Sequence, residues 1–127
     1  MPSLFGPILS PPDIVLDSLA AGQDIISSVI DNTTTKYDSV QITLQLSTTN
    51  VRQGAYFFVG VLGSTDGVNF TDYPQSEQSI TRLVANSTKK YAVVLDKLPM
   101  YFKFYLQNRT GGALSNPNTF NYLGVNN

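Results

Sequence analysis

The cleanest alternation of apolar and polar positions lies in residues 37–49, where Val40, Ile42, Leu44 and Leu46 interleave with Gln41, Thr43, Gln45 and Ser47. A period of two puts these sets on opposite faces of a strand, one buried and one wet. The same alternation returns in Tyr101–Gln107, with Phe102, Phe104 and Leu106 expected inward and Tyr101, Lys103 and Tyr105 outward. Ala55–Leu62 is apolar on both faces, with Tyr56, Phe58 and Leu62 on one and Phe57, Val59 and Val61 on the other. A strand with that pattern belongs inside a sheet, between two neighbours. Ser64-Thr65-Asp66-Gly67 follows it. Asp-Gly tolerates the positive φ of tight turns, so Ala55–Tyr73 is predicted to be a β-hairpin whose second arm is Val68–Tyr73.

The remaining segments fit the same plan. Ile14–Ile30 is predicted to form two strands around Ala20-Ala21-Gly22, although Val15, Leu16, Leu19 and Ala20 also have helical spacing. Pro74–Ser79 is expected to be a polar loop, Ile80–Ala85 a weak strand and Asn86–Lys89 a turn. Tyr91–Leu95 and Thr119–Val125 complete the strands, with a long loop over Asn108–Asn118. Eight or nine short strands separated by turn signals predict an all-β, two-sheet antiparallel sandwich, with a jelly roll favoured. The immunoglobulin sandwich is the alternative, without the Cys and Trp that mark antibody domains.

At 127 residues the chain has room for a single core. Residues 14–127 are assigned to that sandwich domain and residues 1–13 to an extended N-terminal arm. The arm holds four of the seven prolines, which lack the N–H that a helix or central strand requires. It also carries Leu4, Phe5, Ile8 and Leu9, too apolar for a solvated tail. Either the arm covers an edge of its own domain or it docks on another subunit. The start lacks the basic and long apolar regions of a signal peptide, and no stretch is long enough to span a membrane.

The chain has no histidine and no cysteine, which removes Ser-His-Asp and Cys-His chemistry, the usual zinc sites, disulfides and iron–sulfur ligation. A net charge of −1 gives no basic excess for nucleic acid. Of the carboxylates, eight are Asp and one is Glu77. Asp66 and Asp72 flank the predicted hairpin, but turn bonding and strand-end solvation explain both better than a catalytic pair does. Asp31, Asn32 and Asp38 near one turn, and Asp66 and Asn69 in another, are candidate calcium oxygens without EF-hand spacing, and turn bonding again explains them better. Sequons begin at Asn32, Asn69, Asn86 and Asn108. They are read as unused, and Arg82 and Arg109 as solvated. Tyr101, Lys103 and Tyr105 put two aromatic rings and a cation on one face, suited to a sugar or protein partner unless the second sheet or a loop covers them. The expectation is no catalytic, metal or cofactor site, with partner binding through Leu4, Phe5, Ile8, Leu9, Tyr101, Lys103 and Tyr105.

Ser64–Tyr73, with Ser64, Asp66, Gly67, Asn69, Phe70 and Tyr73 at the matching positions, resembles a hairpin of discoidin-type galactose-binding-like jelly rolls. There, Trp usually stands where this chain has Phe70. The stretch is also similar to hairpins in small β-sandwich virion proteins of tailed bacteriophages. Leu98–Gly112 resembles the strand–Pro–strand element and Asn-x-Thr-Gly turn that those proteins often add, with Pro99 and Asn108-Arg109-Thr110-Gly111 in place. The resemblance spans Val40 to Val125. It implies a non-enzymatic structural protein made in the host cytoplasm and carried in the virion. The favoured role is a capsid decoration or cement protein that forms homo-oligomers and binds the major capsid protein or other virion proteins, without nucleic acid, membrane or cofactor. A neck or tail subunit is the alternative within that class, and a carbohydrate-binding module the alternative outside it.

Overall fold

The computed structural model describes residues 13–126 in full and residues 4–9 by backbone alone. The described residues contain no helix. Their strands are β1 (Leu4–Leu9), β2 (Asp24–Ile26), β3 (Ile30–Asp31), β4 (Ser39–Thr48), β5 (Tyr56–Ser64), β6 (Ser76–Ile80), β7 (Ser87–Leu95), β8 (Tyr101–Arg109) and β9 (Thr119–Asn126). One sheet runs β1-β9-β4-β7 and the other β2-β8-β5-β6, with β3 also paired to β8. Every pairing is antiparallel.

The pairing is nested. β5 pairs with β6, β4 with β7, β2 and β3 with β8, and β1 with β9. This is one long antiparallel ribbon rolled onto itself, closed by β9 against β4 and β8 against β5. With β2 and β3 counted as one interrupted strand, the order is that of a jelly roll, as the strand rhythm predicted.

The core forms where the two sheets face each other. Val40, Ile42, Leu44 and Leu46 from β4 meet Phe57, Val59 and Val61 from β5, and Phe102, Phe104 and Leu106 from β8, all essentially inaccessible to solvent. Phe104 is the hub: its ring centroid lies 5.5 Å from Phe102, 5.0 Å from Phe120 and 5.0 Å from Tyr122. Those contacts tie β8 of one sheet to β9 of the other. Phe58 lies half-buried on the outer face, edge-on to Tyr105 at 5.9 Å. Period two requires this, because Phe57 already occupies the inner position beside it.

Several boundaries differ from the sequence reading for identifiable reasons. Residues 14–19 form no strand; Leu19 N–H bonds the Leu16 carbonyl and Ser18 adopts φ +62°, which turns the chain. Ile14, Leu16 and Leu19 nevertheless fill the core. The strand expected to follow is split into β2 and β3. At the break, Ser27 Oγ accepts the N–H of Phe104, doing the work of a backbone carbonyl. Between β5 and β7, Ser76–Ile80 is a strand, where a polar loop was expected. Of the weak strand expected over Ile80–Ala85, only Ile80 is extended, as the end of β6; beyond it Leu83 N–H bonds the Thr81 carbonyl, and β7 starts at Ser87.

Residues 4–9 of the expected arm run along β9 as an edge strand. Leu4 and Phe5 pair with Asn126 and Val125, Ile8 and Leu9 with Leu123 and Tyr122, with a one-residue slip between Phe5 and Ile8. Gly6-Pro7 occupies that bulge, so the proline sits at one of the few sheet positions that needs no N–H. Proline excludes this segment from a helix or a central strand but not from an edge strand, and the extended arm is regular structure over residues 4–9. The side chains of Leu4, Phe5, Ile8 and Leu9 lie outside the described residues.

Phe104→Ala should lower unfolding free energy by about 3–5 kcal/mol, the usual range for emptying a buried Phe site. Phe58→Ala, on the half-buried outer face, should lower it by less. Urea denaturation of both variants checks the ranking, and equal losses would contradict Phe104 as the hub.

Candidate functional site

The outer face of the second sheet carries the aromatic and cationic residues singled out in the sequence, and a loop folds over part of it. Tyr101, Lys103 and Tyr105 alternate along β8 on the outward side, each half-buried. The chain between β5 and β6 is 65–75, and it does not form the expected hairpin arm. Asp66 is the cause. Its Oδ1 accepts the N–H groups of Val68 (2.8 Å) and Asn69 (2.9 Å), and its Oδ2 accepts Asn69 Nδ2 at 2.8 Å. Those two backbone donors are then lost to any ladder, so Val68–Tyr73 cannot extend as a strand. Ser64 Oγ donates to Asp66 Oδ1 and accepts from Gly67 N–H at 2.9 Å, closing the turn. These hydrogen bonds hold the Asp66 carboxyl far below the usual carboxylate range, the backbone donors of Asn69 and Val68 contributing most.

The loop is pinned to the sheet below it. Gly67 has φ +79°, and a Cβ there would sit 3.2 Å from the Tyr101 ring. Lys103 Nζ lies 4.5 Å from the centroid of Phe70, a cation–π contact. Thr71 N–H bonds the Gly63 carbonyl at 3.0 Å, and Gln75 N–H bonds the Val61 carbonyl at 2.9 Å. Tyr101 and Lys103 are thus engaged by their own chain. Among the exposed residues of the loop, which include the polar Thr65, Asn69 and Asp72, two are large and apolar: Val68 is 78% exposed and Tyr73 83%.

Beyond the loop, the same face holds a polar network. Arg109 Nη2 pairs with Asp24 Oδ1 at 3.0 Å, Tyr105 OH donates to Asp24 Oδ2 at 3.0 Å, and Gln107 Nε2 donates to Tyr105 OH at 2.7 Å. Arg109, expected to be solvated, is therefore paired and partly buried. β2 places Asp24 opposite Gln107 in the ladder, which brings the carboxylate to it. Desolvation, followed by the hydrogen bond to Asp24, raises the Tyr105 phenol above its ordinary value.

The Asn-x-Thr-Gly turn is a structural clamp. Asn108 is fully buried. Its Nδ2 donates to the carbonyls of Leu19, Ala20 and Gly112, and its Oδ1 accepts Thr110 N–H and Thr110 Oγ1. This satisfies every position of the amide and binds the segment before β2 to the end of β8. Asn32 acts similarly at the other end: Nδ2 donates to the Tyr37 carbonyl and Oδ1 accepts Tyr37 N–H. Two of the four sequons thus begin at buried asparagines. Asp31 accepts from the Thr33 hydroxyl and backbone N–H, which lowers its pKa. Asp31 and Asn32, offered as calcium oxygens, are bonded within their own turn, as are Asp66 and Asn69. Among the described residues, no group of three or more Asp or Glu is placed to hold a metal.

Sequence reasoning missed the Asp24–Arg109 pair, because its members are 85 positions apart and only the β2–β8 register joins them. A partial signal existed for the Asn108 clamp, since the motif was visible, but burial of its amide was not.

The depressed pKa of Asp66 fixes a pH dependence. A carboxyl whose folded pKa is lowered contributes its full stabilisation above the unfolded value, about 4, and loses it as pH falls through the folded value. Asp66→Ala should therefore melt below the parent at pH 7, with the gap narrowing progressively below about pH 4. Thermal melts of both proteins from pH 7 to pH 2.5 test this, and a pH-independent gap would contradict it. Gly67 and Gly22 both have positive φ, but only Gly67 has a ring above it. Alanine at either should cost about 1–2 kcal/mol of backbone strain, and Gly67→Ala should cost more than Gly22→Ala. Equal melting temperatures would show that the loop does not rest on Tyr101. No protein-family model matches this chain, and no curated protein matches its sequence.

Proposed function

We propose that this chain is a non-enzymatic structural subunit of a tailed-phage particle, a capsid decoration or cement protein that binds the outer face of the head lattice. The observation that carries this reading is the loop 65–75. Its backbone is fixed by Asp66, Ser64 and Tyr101, yet it presents Val68 and Tyr73 to solvent. Holding apolar side chains outward on a rigid backbone removes much of the ordering cost of association. Tyrosine is also a frequent anchor at the centre of interfaces.

The polar residues that suggested chemistry are occupied structurally. Asp66 closes a turn, Asn108 and Asn32 clamp the ends of the sandwich, and Asp24 pairs with Arg109. A lattice subunit needs a stable core, a fixed contact surface and many equivalent copies, and weak single contacts multiply across such an array. The resemblance of Ser64–Tyr73 and Leu98–Gly112 to phage virion sandwiches supplies the context.

The test uses purified phage heads and the isolated protein. The parent should co-sediment with heads in a fixed ratio. Val68→Ser with Tyr73→Ser should retain the parent circular dichroism and weaken attachment at least tenfold. Attachment unchanged by the double substitution would remove the loop from the interface. Retention on a glycan column as a monomer, with no attachment to heads, would favour the carbohydrate-binding alternative.

A further inference from the structure

At the end of the sandwich that Asn108 clamps, two arginines line a recess of about 230 Å³ together with Ala21, Gly22 and Gly111. That volume matches several waters at about 30 Å³ each, enough for one tetrahedral oxyanion. Arg109 reaches it from the end of β8, with Nη2 on Asp24 and Nη1 buried without a hydrogen-bond partner. Arg52 reaches it from the turn before β5. Among the described residues, no carboxylate forms an ion pair with Arg52.

The stem of Arg52 is placed by the backbone beside it. Arg52 N–H bonds the Thr110 carbonyl at 3.0 Å. Gly111, at φ +107°, lets the stem lie flat, since a Cβ there would come within 2.9 Å of Arg52 Cγ. Two permanently charged arginines thus line one recess, and one carboxylate, Asp24, pairs with Arg109 alone. A planar guanidinium offers donors in a fork that fits tetrahedral or planar oxyanions.

We propose that the recess between Arg52 and Arg109 binds a single phosphate-type oxyanion. The anion answers the charge of Arg52 and sits beside Arg109, whose guanidinium is already paired with Asp24. It stands apart from the loop that presents Val68 and Tyr73, and does not depend on the virion reading.

The experiment titrates sodium phosphate into ¹⁵N-labelled full-length protein at constant ionic strength and follows amide shifts. The expected result is saturable shifts centred on Gly22, Arg52, Arg109 and Gly111. Arg52→Gln should weaken the affinity at least fivefold. Arg82→Gln, which removes the same charge from an exposed site elsewhere, should leave it unchanged. Shifts that rise linearly without saturation, or that saturate at other residues, would overturn the site. So would equal weakening by Arg52→Gln and Arg82→Gln, which would reduce the effect to net charge.

Discussion

Strand β8 has to satisfy two surroundings at once, and the rest of the molecule is arranged around that constraint. Its inner side chains, Phe102, Phe104 and Leu106, fill the gap between the sheets. Its outer ones, Tyr101, Lys103 and Tyr105, support the loop after β5 and the Asp24 network. Its ladder partners are β5 on one side and β2 and β3 on the other. A one-residue slip would drive a lysine and two tyrosines into the core and expose three large apolar side chains, so the register has no near competitor. Asn108 fixes the end of the same strand to the segment around Leu19 and Ala20.

The strands most legible in the sequence were those with one dominant environment. β4 and β8 alternate without exception over their cores, and β5 declares its central place by being apolar on both sides. The jelly roll was favoured from strand number and spacing, while the nested pairing order itself came only with the structure. What the sequence concealed was competition for backbone donors. Asp66 marks a turn in any reading, but its capture of the Val68 and Asn69 N–H groups is a property of the folded loop, and it moved the partner of β5 to Ser76–Ile80. Ser27 did the same at the β2–β3 break, where a hydroxyl replaces a ladder carbonyl. Gly6-Pro7 hid the edge strand β1, because a bulge accommodates what a regular ladder would reject.

The candidate site was half legible. Tyr101, Lys103 and Tyr105 share a face, as their alternation required, and the alternative that a loop covers that face describes Tyr101 and Lys103. Among the described residues, the large apolar side chains most exposed to solvent are instead Val68 and Tyr73, on the loop itself. No periodicity marks them, since a loop has none. The hydrogen bonds beneath them turn a connecting segment into a fixed surface, which is what the proposed role in an assembly requires.

Rigidity of that loop is the claim on which the functional reading rests, and amide hydrogen exchange at pH 7 tests it most directly. Val68 lies at an exposed loop tip, so in a mobile segment its N–H would exchange at the rate of an unstructured peptide. Bonded to Asp66, the Val68 and Asn69 amides should be protected at least a hundredfold, and Asp66→Ala should abolish that protection while leaving Phe104 in β8 protected. Unprotected Val68 and Asn69 in the parent would show a mobile loop and contradict the account.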